Sequence, residues 1–546
     1  MTSDRPQTTS RFSKRQRILV VAVCFLVFLA GIAITLLHRY WPFDQKDIIE
    51  ILQETVPGTK VTVAGFQRTY FIHPGCQAEG LTFVRKAIRP ALPPLVTIQK
   101  LTIQANYADL FLRPGHISRI LIDGLHIQVP LQGSSAAFEN SSLTNTSHAK
   151  RTVVEQIASS AAVVEIGRRE GSPLRFEIHE IKLGSVGLSQ AMSYHVRLQN
   201  PLPPGEIEAT GKLGPWNSQD IGQLPVSGTY RFDQANLGIF SGIQGILSST
   251  GHFDGKLGDI AVAGDSAIPD FAVKAKGHSL PVKTRFEATV NGTNGDVRLT
   301  QVDVLLQSTP VQVQGSILGK SGAAGKITSL ELIATRGRVQ DILRPFVKAL
   351  LPPMSGPINF RAQVTFHSDQ HPFLKAVNLR GNFSITEGRF TAPDTQQSVE
   401  SLSARARGIK NTSDKPAETV DPTLTASVSL SGGVAKFSEV SLEIPGARAL
   451  MNGTFNVLNE KVDFHGTLKT AVELSDTTHG IKSILLKPLD PLFKRKHAGA
   501  AIPVEMTGTY SQPHFGMEII PKHSPPSGSD GAKSIKQASK SFSDHR

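Results

Sequence analysis

From Leu174 to about Gly319 the chain is a succession of short segments in which apolar and polar residues alternate, as in LRFEIHEIKL, GEIEATGKL and VDVLLQSTPVQVQGSI. Turn dipeptides such as Pro204-Gly205 and Asn294-Gly295 separate these segments. A period of two puts every second side chain on the same side of a strand, so each segment has one apolar and one polar face. So many half-apolar strands must shield one face, and the sequence offers too few helices to cover it. The remaining options are a sandwich, closed barrels, or a long curved sheet with an apolar inner face. Strands are also expected at Val61–Gln67, Leu95–Ala105 and Leu125–Leu131, and again from Ile358 to about Ile520.

Helical patterns are local. Asp44 to Thr55 (DQKDIIEILQET) has apolar residues at Ile48, Ile49, Ile51 and Leu52, which suits a short amphipathic helix. TVVEQIASSAAVV, just after residue 150, predicts a second helix. Val339 to Leu351 predicts a third, kinked or broken at Pro345 and stopped by Pro352-Pro353. Ile481–Phe493 is partly helical in pattern. Residues 132–149 are small and polar, a linker or long loop, and the last stretch is rich in Ser, Lys, Gly and Pro.

Ile18 to Leu37 (ILVVAVCFLVFLAGIAITLL) contains no charged residue. As a helix it spans roughly 30 Å, the thickness of a bilayer core. Arg5, Arg11, Lys14, Arg15 and Arg17 precede it, and Arg39, Tyr40 and Trp41 follow. Basic flanks stay cytoplasmic, which places the body of the chain across the membrane. A cleaved signal peptide is the competing reading, but no small-x-small site closes the run. The formal net charge of +13 is concentrated at the ends, +4 in residues 1–17 and +3 in 521–546, leaving +6 for 38–520. No basic stripe with interleaved aromatics runs through the body, so nucleic acid is not an expected partner. Cys24 lies within the anchor and Cys76 outside it, which excludes an intrachain disulfide and any site built from paired cysteines.

Catalytic patterns are missing. His179-Glu180 lacks the second histidine of a zinc-protease helix motif, and GKSGAAGK (319–326) fails the phosphate-loop spacing at Lys320 and Ile327. Asp109, His116, Asp123 and His126 cluster in sequence, a weak hint of a metal site that solvated turn residues explain as well. The expectation is a non-enzyme with no cofactor and no metal. An apolar groove left along a curved sheet would suit acyl chains, since each buried methylene contributes roughly 0.8 kcal/mol. The candidate lipid-contacting residues are Leu125, Ile127 and Val129 on one strand, Val302, Val304 and Leu306 on another, and Val311 and Val313 on the next. The same residues also suit an ordinary sandwich core. A five-residue echo recurs, with Gly at its centre and often an aromatic at its end: Val226–Tyr230, Leu379–Phe383, Met451–Phe455 and Met506–Tyr510. It marks either tight strand starts or similar rungs of one extended sheet.

Four stretches, in this order, resemble the AsmA-like proteins of the bacterial envelope, relatives of the TamB-type group. They are LTIQANYADLFLRPGHISRILIDGLHIQVPL after the anchor, RGRVQDILRPFVKALLPPMSGPINFRAQVT, LRGNFSITEGRFTAPDTQQSVESLSARAR and PLFKRKHAGAAIPVEMTGTYSQPHF. The resemblance implies an inner-membrane anchor, a periplasmic β-rich body with a hydrophobic groove, and a part in phospholipid traffic and outer-membrane lipid balance. The expected fold class is therefore mainly β: a single N-terminal transmembrane helix, then an elongated curved β-sheet with a few short helices. The expected division is a cytoplasmic segment 1–17, anchor 18–37, N-terminal β unit 38–131, linker 132–149, β-rich region 150–335, helical interruption 336–355, C-terminal β region 356–520 and tail 521–546. Membrane phospholipid is the expected partner, with other envelope proteins as possible further ones. The alternative function is a non-enzymatic scaffold or assembly factor for outer-membrane proteins.

Overall fold

The computed structural model describes residues 43–55, 59–85, 94–112, 116–129, 153–167, 172–186, 190–215, 221–240, 242–273, 277–319, 326–347, 350–367, 373–407, 419–470, 502–509 and 512–516. The expected anchor, the linker 132–149, the segment Ile481–Phe493 and the tail lie outside these residues. Among the described residues, no helix is long and apolar enough to cross a membrane.

The fold is mainly β, as the alternation predicts. One twisted 25-stranded sheet contains nearly every strand, and a small two-stranded sheet joins Met354–Ser355 to Arg389–Phe390. The long sheet is built in chain order. Thr59–Thr62 and Gly65–Thr69 share Gly75–Arg85 as partner, which pairs in turn with Val96–Gln104, and that with His116–Val129. His116–Val129 then pairs in parallel with Val153–Ile166. From there each strand runs antiparallel to the next, through Leu174–Val186 and Met192–Pro201 to Ile502–Thr509 and Gln512–Gly516. Such a meander needs only short turns. Ser431 to Val434 shows why the residues permit it: Gly432 and Gly433 both have positive φ (59° and 83°), the requirement of a type I′ hairpin.

The helix expected after residue 150 is a strand, Val153–Ile166. Val153, Val154, Ile157, Val163 and Val164 are β-branched, and two neighbouring strands supply ladder partners for the segment. Tertiary pairing overrides an alanine-rich pattern that would pass for a helix in isolation. The helix expected at Asp44–Thr55 is present as Gln45–Thr55. That at Val339 is only Val339–Leu343, followed by a 3-10 turn at Arg344–Phe346, as Pro345 dictates. A helix at Pro393–Ala406 interrupts the expected run of strands; Pro393 opens it and Asp394 sits in its first turn. The sheet ladder continues across both interruptions, joining Asn378–Ile385 to Thr423–Ser431 and Lys326–Arg338 to Pro357–His367.

Among the described residues, buried apolar side chains gather into three clusters, and each sits where a helix lies on the sheet. The first packs Phe43 and Ile48, at the start of the N-terminal helix, against Leu81, Ile98, Leu101 and Ile103. The second joins Val339 to Met354, Ile358 and Ile385. The third places Leu402 and Ala406 on Ala447, Ala449 and Leu468. None draws a member from the strands between Val153 and Arg338. One polar anchor ties the second helical insertion to the sheet. Asp341, 2 % exposed, accepts hydrogen bonds from the Thr309 hydroxyl at 3.0 Å and the Ser308 amide at 3.2 Å.

Candidate functional site: the apolar face of the long sheet

Register makes the faces of the sheet explicit. Starting at Phe66, one row of directly paired residues passes through Ala78, Leu101 and Ile122. It crosses the parallel pair at Ser159 and continues through Ile181, Val196 and Ala209 to Tyr230. Gly251, Gly264, Phe286, Val302, Val313 and Leu332 follow. Beyond them the row runs by Ala362, Gly381, Val428 and Phe437 to Gly453, Phe464 and Met506. No residue of this row is charged.

The rows on either side, on the same face, are built alike. One runs from Leu81, Ile98 and Leu125 through Ala162, Ile178, Leu198 and Ile207 to Phe232. It then meets Ser249, Ser266 and Thr284 before Val304 and Val311. The other row carries Leu183, Tyr194 and, past two glycines, Phe253 and Val262. The opposite face is of different character. Glu180, Arg197, Glu208 and Arg231 are successive partners, and Asp265, Arg285 and Asp303 continue with alternating sign. Arg285 Nε donates to Asp265 Oδ1 at 3.1 Å in full solvent. Such exposed pairs add little stability, but they keep that face wet and the strands in register.

The predicted residues fall into place on this surface. Val302, Val304 and Leu306 pair directly with Val313, Val311 and Thr309, and on their other side with Phe286, Thr284 and Val282. Leu125 belongs to the same row as Val304, many rungs away, and Ile127 pairs with Val96 and Val164. Val129 ends its strand opposite Ile166, and its side chain lies outside those described. Val311 is buried, whereas Val302, Val304, Leu306 and Val313 are half-buried. From Leu174 to Gly319 the apolar face is consistently less exposed than the charged face; among the described residues none of the three buried clusters draws on these strands, and the helical insertion reaches this face at Thr309, whose hydroxyl donates to Asp341. A single layer that curves toward its apolar side has this asymmetry. A sandwich would instead bury these residues under a second sheet.

Sequence reasoning missed the aromatic residues of this face: Tyr230, Phe232, Phe253, Phe286, Phe437 and Phe464. The glycine echo was the available signal. Gly228 and Tyr230 of one copy share the apolar face with Gly251 across the ladder, where a Cβ would stand 2.8 Å from Tyr230 Cε1. A Cβ at Gly453 would likewise collide with the Phe464 ring and the Asp463 carbonyl. Phe464 lies 5.5 Å, centroid to centroid, from Phe437, which meets Phe383 edge-on at 6.4 Å. Each glycine is a slot that lets a ring from the next strand lie flat on the backbone.

Besides Ser159 in the central row, a polar spot lies on this face around Tyr230. The Tyr230 hydroxyl lies 3.1 Å from Ser249 Oγ, which donates to the Asp265 carbonyl at 3.1 Å. Ser266 and Thr284 hydrogen-bond beside them, and Tyr194 donates to the Ser227 carbonyl at 3.3 Å. Burial pushes the pKa of both tyrosines above the ordinary phenol value. Every polar group of the spot is thus a neutral hydroxyl satisfied within the sheet.

Of the sequence-clustered acids and histidines, His116 lies 3.5 Å from Asp109 and 3.6 Å from Glu155, while His126 is 3.3 Å from Glu165. His116 sits between two carboxylates and His126 beside one, in separate places, and no group of three or more such side chains suited to a metal occurs among the described residues. Cys76 is buried, and desolvation pushes its thiol up to about 12. Neither a protein-family model nor a curated protein sequence matches the chain.

Proposed function

We propose that this protein is anchored in the bacterial inner membrane by residues 18–37 and that its periplasmic sheet holds phospholipid by the acyl chains along the apolar face. Its role is then the passage or storage of lipid that maintains the outer membrane. The observation that carries the reading is the uncharged row from Phe66 to Met506, flanked by similar rows and, among the described residues between Val153 and Arg338, belonging to none of the three helix-bound clusters. Soluble monomers rarely leave apolar patches of more than a few hundred Å² uncovered unless something binds there.

The geometry suits a flexible hydrocarbon better than a folded partner. Successive rungs are ~4.8 Å apart, and the ladder is on the order of 100 Å long if measured straight. About four methylenes span one rung, so a chain lying along the rows meets apolar side chains at every step and gains roughly 3 kcal/mol per rung. Because Val302, Val313 and Leu332 offer nearly equivalent surfaces, a chain moves from one rung to the next without leaving apolar contact. Headgroups stay at the wet rim. The satisfied hydroxyls around Tyr230 interrupt the hydrocarbon lining without placing a charge in it. Direction requires a lipid gradient or a partner protein.

The test is lipid analysis of the full chain, extracted with its surrounding membrane in polymer discs and then exchanged into amphipol. Native mass spectrometry should find phospholipid retained at reproducible stoichiometry. A chain that emerges lipid-free and takes up no added phospholipid would contradict the proposal and favour a protein-assembly scaffold.

A further inference from the structure

The turn between Gly65–Thr69 and Gly75–Arg85 is an apolar tip. Phe71 is 88 % exposed and Ile72 is 73 % exposed, and Tyr70 stands beside them. The tip is held in shape. Ile72 has φ 65°, a conformation that β-branched residues avoid, and the His73 amide donates to the Phe71 carbonyl at 2.8 Å in a tight turn. Below it, Pro74 is buried and its carbonyl accepts from the Ala105 amide at 2.8 Å. The short helix Tyr107–Leu112 joins the tip, because the Tyr107 hydroxyl donates to the Tyr70 carbonyl. It ends in Leu112, which is 79 % exposed. Phe71 and Ile72 are therefore displayed side by side on the turn, and Leu112 is exposed at the end of the helix that Tyr107 ties to it.

The chain's own path says what covers them. Asp44, at the start of the N-terminal helix, is ion-paired to Arg68, two residues before Tyr70. Phe43 is buried in the cluster beneath. The residues from Leu37, the end of the charge-free run, to Phe43 reach at most about 20 Å. The ion pair thus ties the tip to the first residues after the run proposed to span the membrane.

We propose that Phe71, Ile72 and Leu112 form a wedge that inserts into the headgroup–acyl boundary of the membrane that holds residues 18–37. Apolar side chains displayed at an interface enter it by about 5–10 Å. The wedge and the anchor then give the sheet two attachment points, which sets the N-terminal end of the apolar face against the bilayer. This inference rests on the anchor and not on lipid occupying the sheet.

The experiment uses the full chain with Cys24→Ser and Cys76→Ala in vesicles of phosphatidylcholine and phosphatidylglycerol. Single cysteines at Phe71→Cys, Leu112→Cys and Leu458→Cys are labelled with an environment-sensitive nitrobenzoxadiazole dye, and quenching by lipids nitroxide-labelled high on the acyl chain is read. Leu458 is an exposed apolar residue on a turn of the C-terminal half and serves as the control. Quenching at 71 and 112 should clearly exceed that at 458, as insertion into the headgroup–acyl boundary brings the dye to the nitroxides. Adding Phe71→Asp and Ile72→Asp should abolish the excess at 112, with circular dichroism confirming an intact sheet. A chain that resists alkaline extraction but shows equal quenching at all three positions overturns the wedge. A chain released by alkaline extraction overturns the anchor, and the wedge with it.

Discussion

Val313→Asp separates an open apolar face from a packed core. Val313 is half-buried between Val302 and Leu332 in the central row. In a packed core an unpaired carboxylate here would cost several kcal/mol and unfold the region. On an uncovered face it remains partly hydrated, and its effect on stability should be about 1 kcal/mol or less, a shift of a few degrees in melting temperature. Its effect on bound lipid should be larger. A carboxylate in the central row excludes hydrocarbon from its own rung, which removes about four methylenes of contact, or roughly 3 kcal/mol. That corresponds to about 150-fold weaker retention at the affected site. The assay pairs thermal unfolding of the full chain in amphipol with phospholipid phosphorus per protein after competition with excess lipid. Lost lipid with an intact melting transition supports the reasoning. Global unfolding of the variant would refute the open face, and an intact fold with unchanged lipid content would refute its use by acyl chains.

Three further outcomes follow from packing. Gly453→Ala forces a methyl into the Phe464 ring and the Asp463 carbonyl and should destabilise the C-terminal strands by about 1–3 kcal/mol, measurable by denaturant titration. Asp341→Ala leaves the Thr309 hydroxyl and the Ser308 amide without their acceptor and should cost about 1–3 kcal/mol by the same measurement. Cys76, with its thiol pushed up to about 12, should carry roughly 10³-fold less thiolate at pH 8 than an ordinary cysteine, so iodoacetamide should reach it only on unfolding. The sign for stability follows from the same shift. The neutral thiol is favoured in the fold, so its contribution is complete below about pH 8.5 and falls by up to about 1.4 kcal/mol per pH unit as pH rises toward 12; the slope is absent in Cys76→Ala.

The alternation of single segments made the β class legible. VDVLLQSTPVQVQ shows its period without any neighbour, and Val302, Val304, Val311 and Val313 do share a face. Other features were not legible. Whether an apolar face is covered depends on what lies above it, which no strand encodes; only the ladder and the three helix-bound clusters show which strands lack a covering helix. The aromatic lining was hidden because a ring and its glycine slot, such as Tyr230 and Gly251, belong to different strands. Val153–Ile166 was misread because its β-branched residues are mixed with alanine and serine, and only its two partners decide the outcome. Pro393 and Asp394 were usable start signals for the helix Pro393–Ala406, overshadowed by strand patterns on both sides.

The central claim is that acyl chains lie on one face of the sheet and not on the other. Photo-crosslinking in intact cells tests it most directly, with benzoylphenylalanine placed at Val302 or Val313 on the apolar face and at Asp303 or Gln312, their neighbours on the charged face. The account predicts phospholipid adducts at 302 and 313, detected by mass spectrometry of the purified chain, and none above background at 303 and 312. Equal labelling of both faces, or adducts only to proteins, would contradict it.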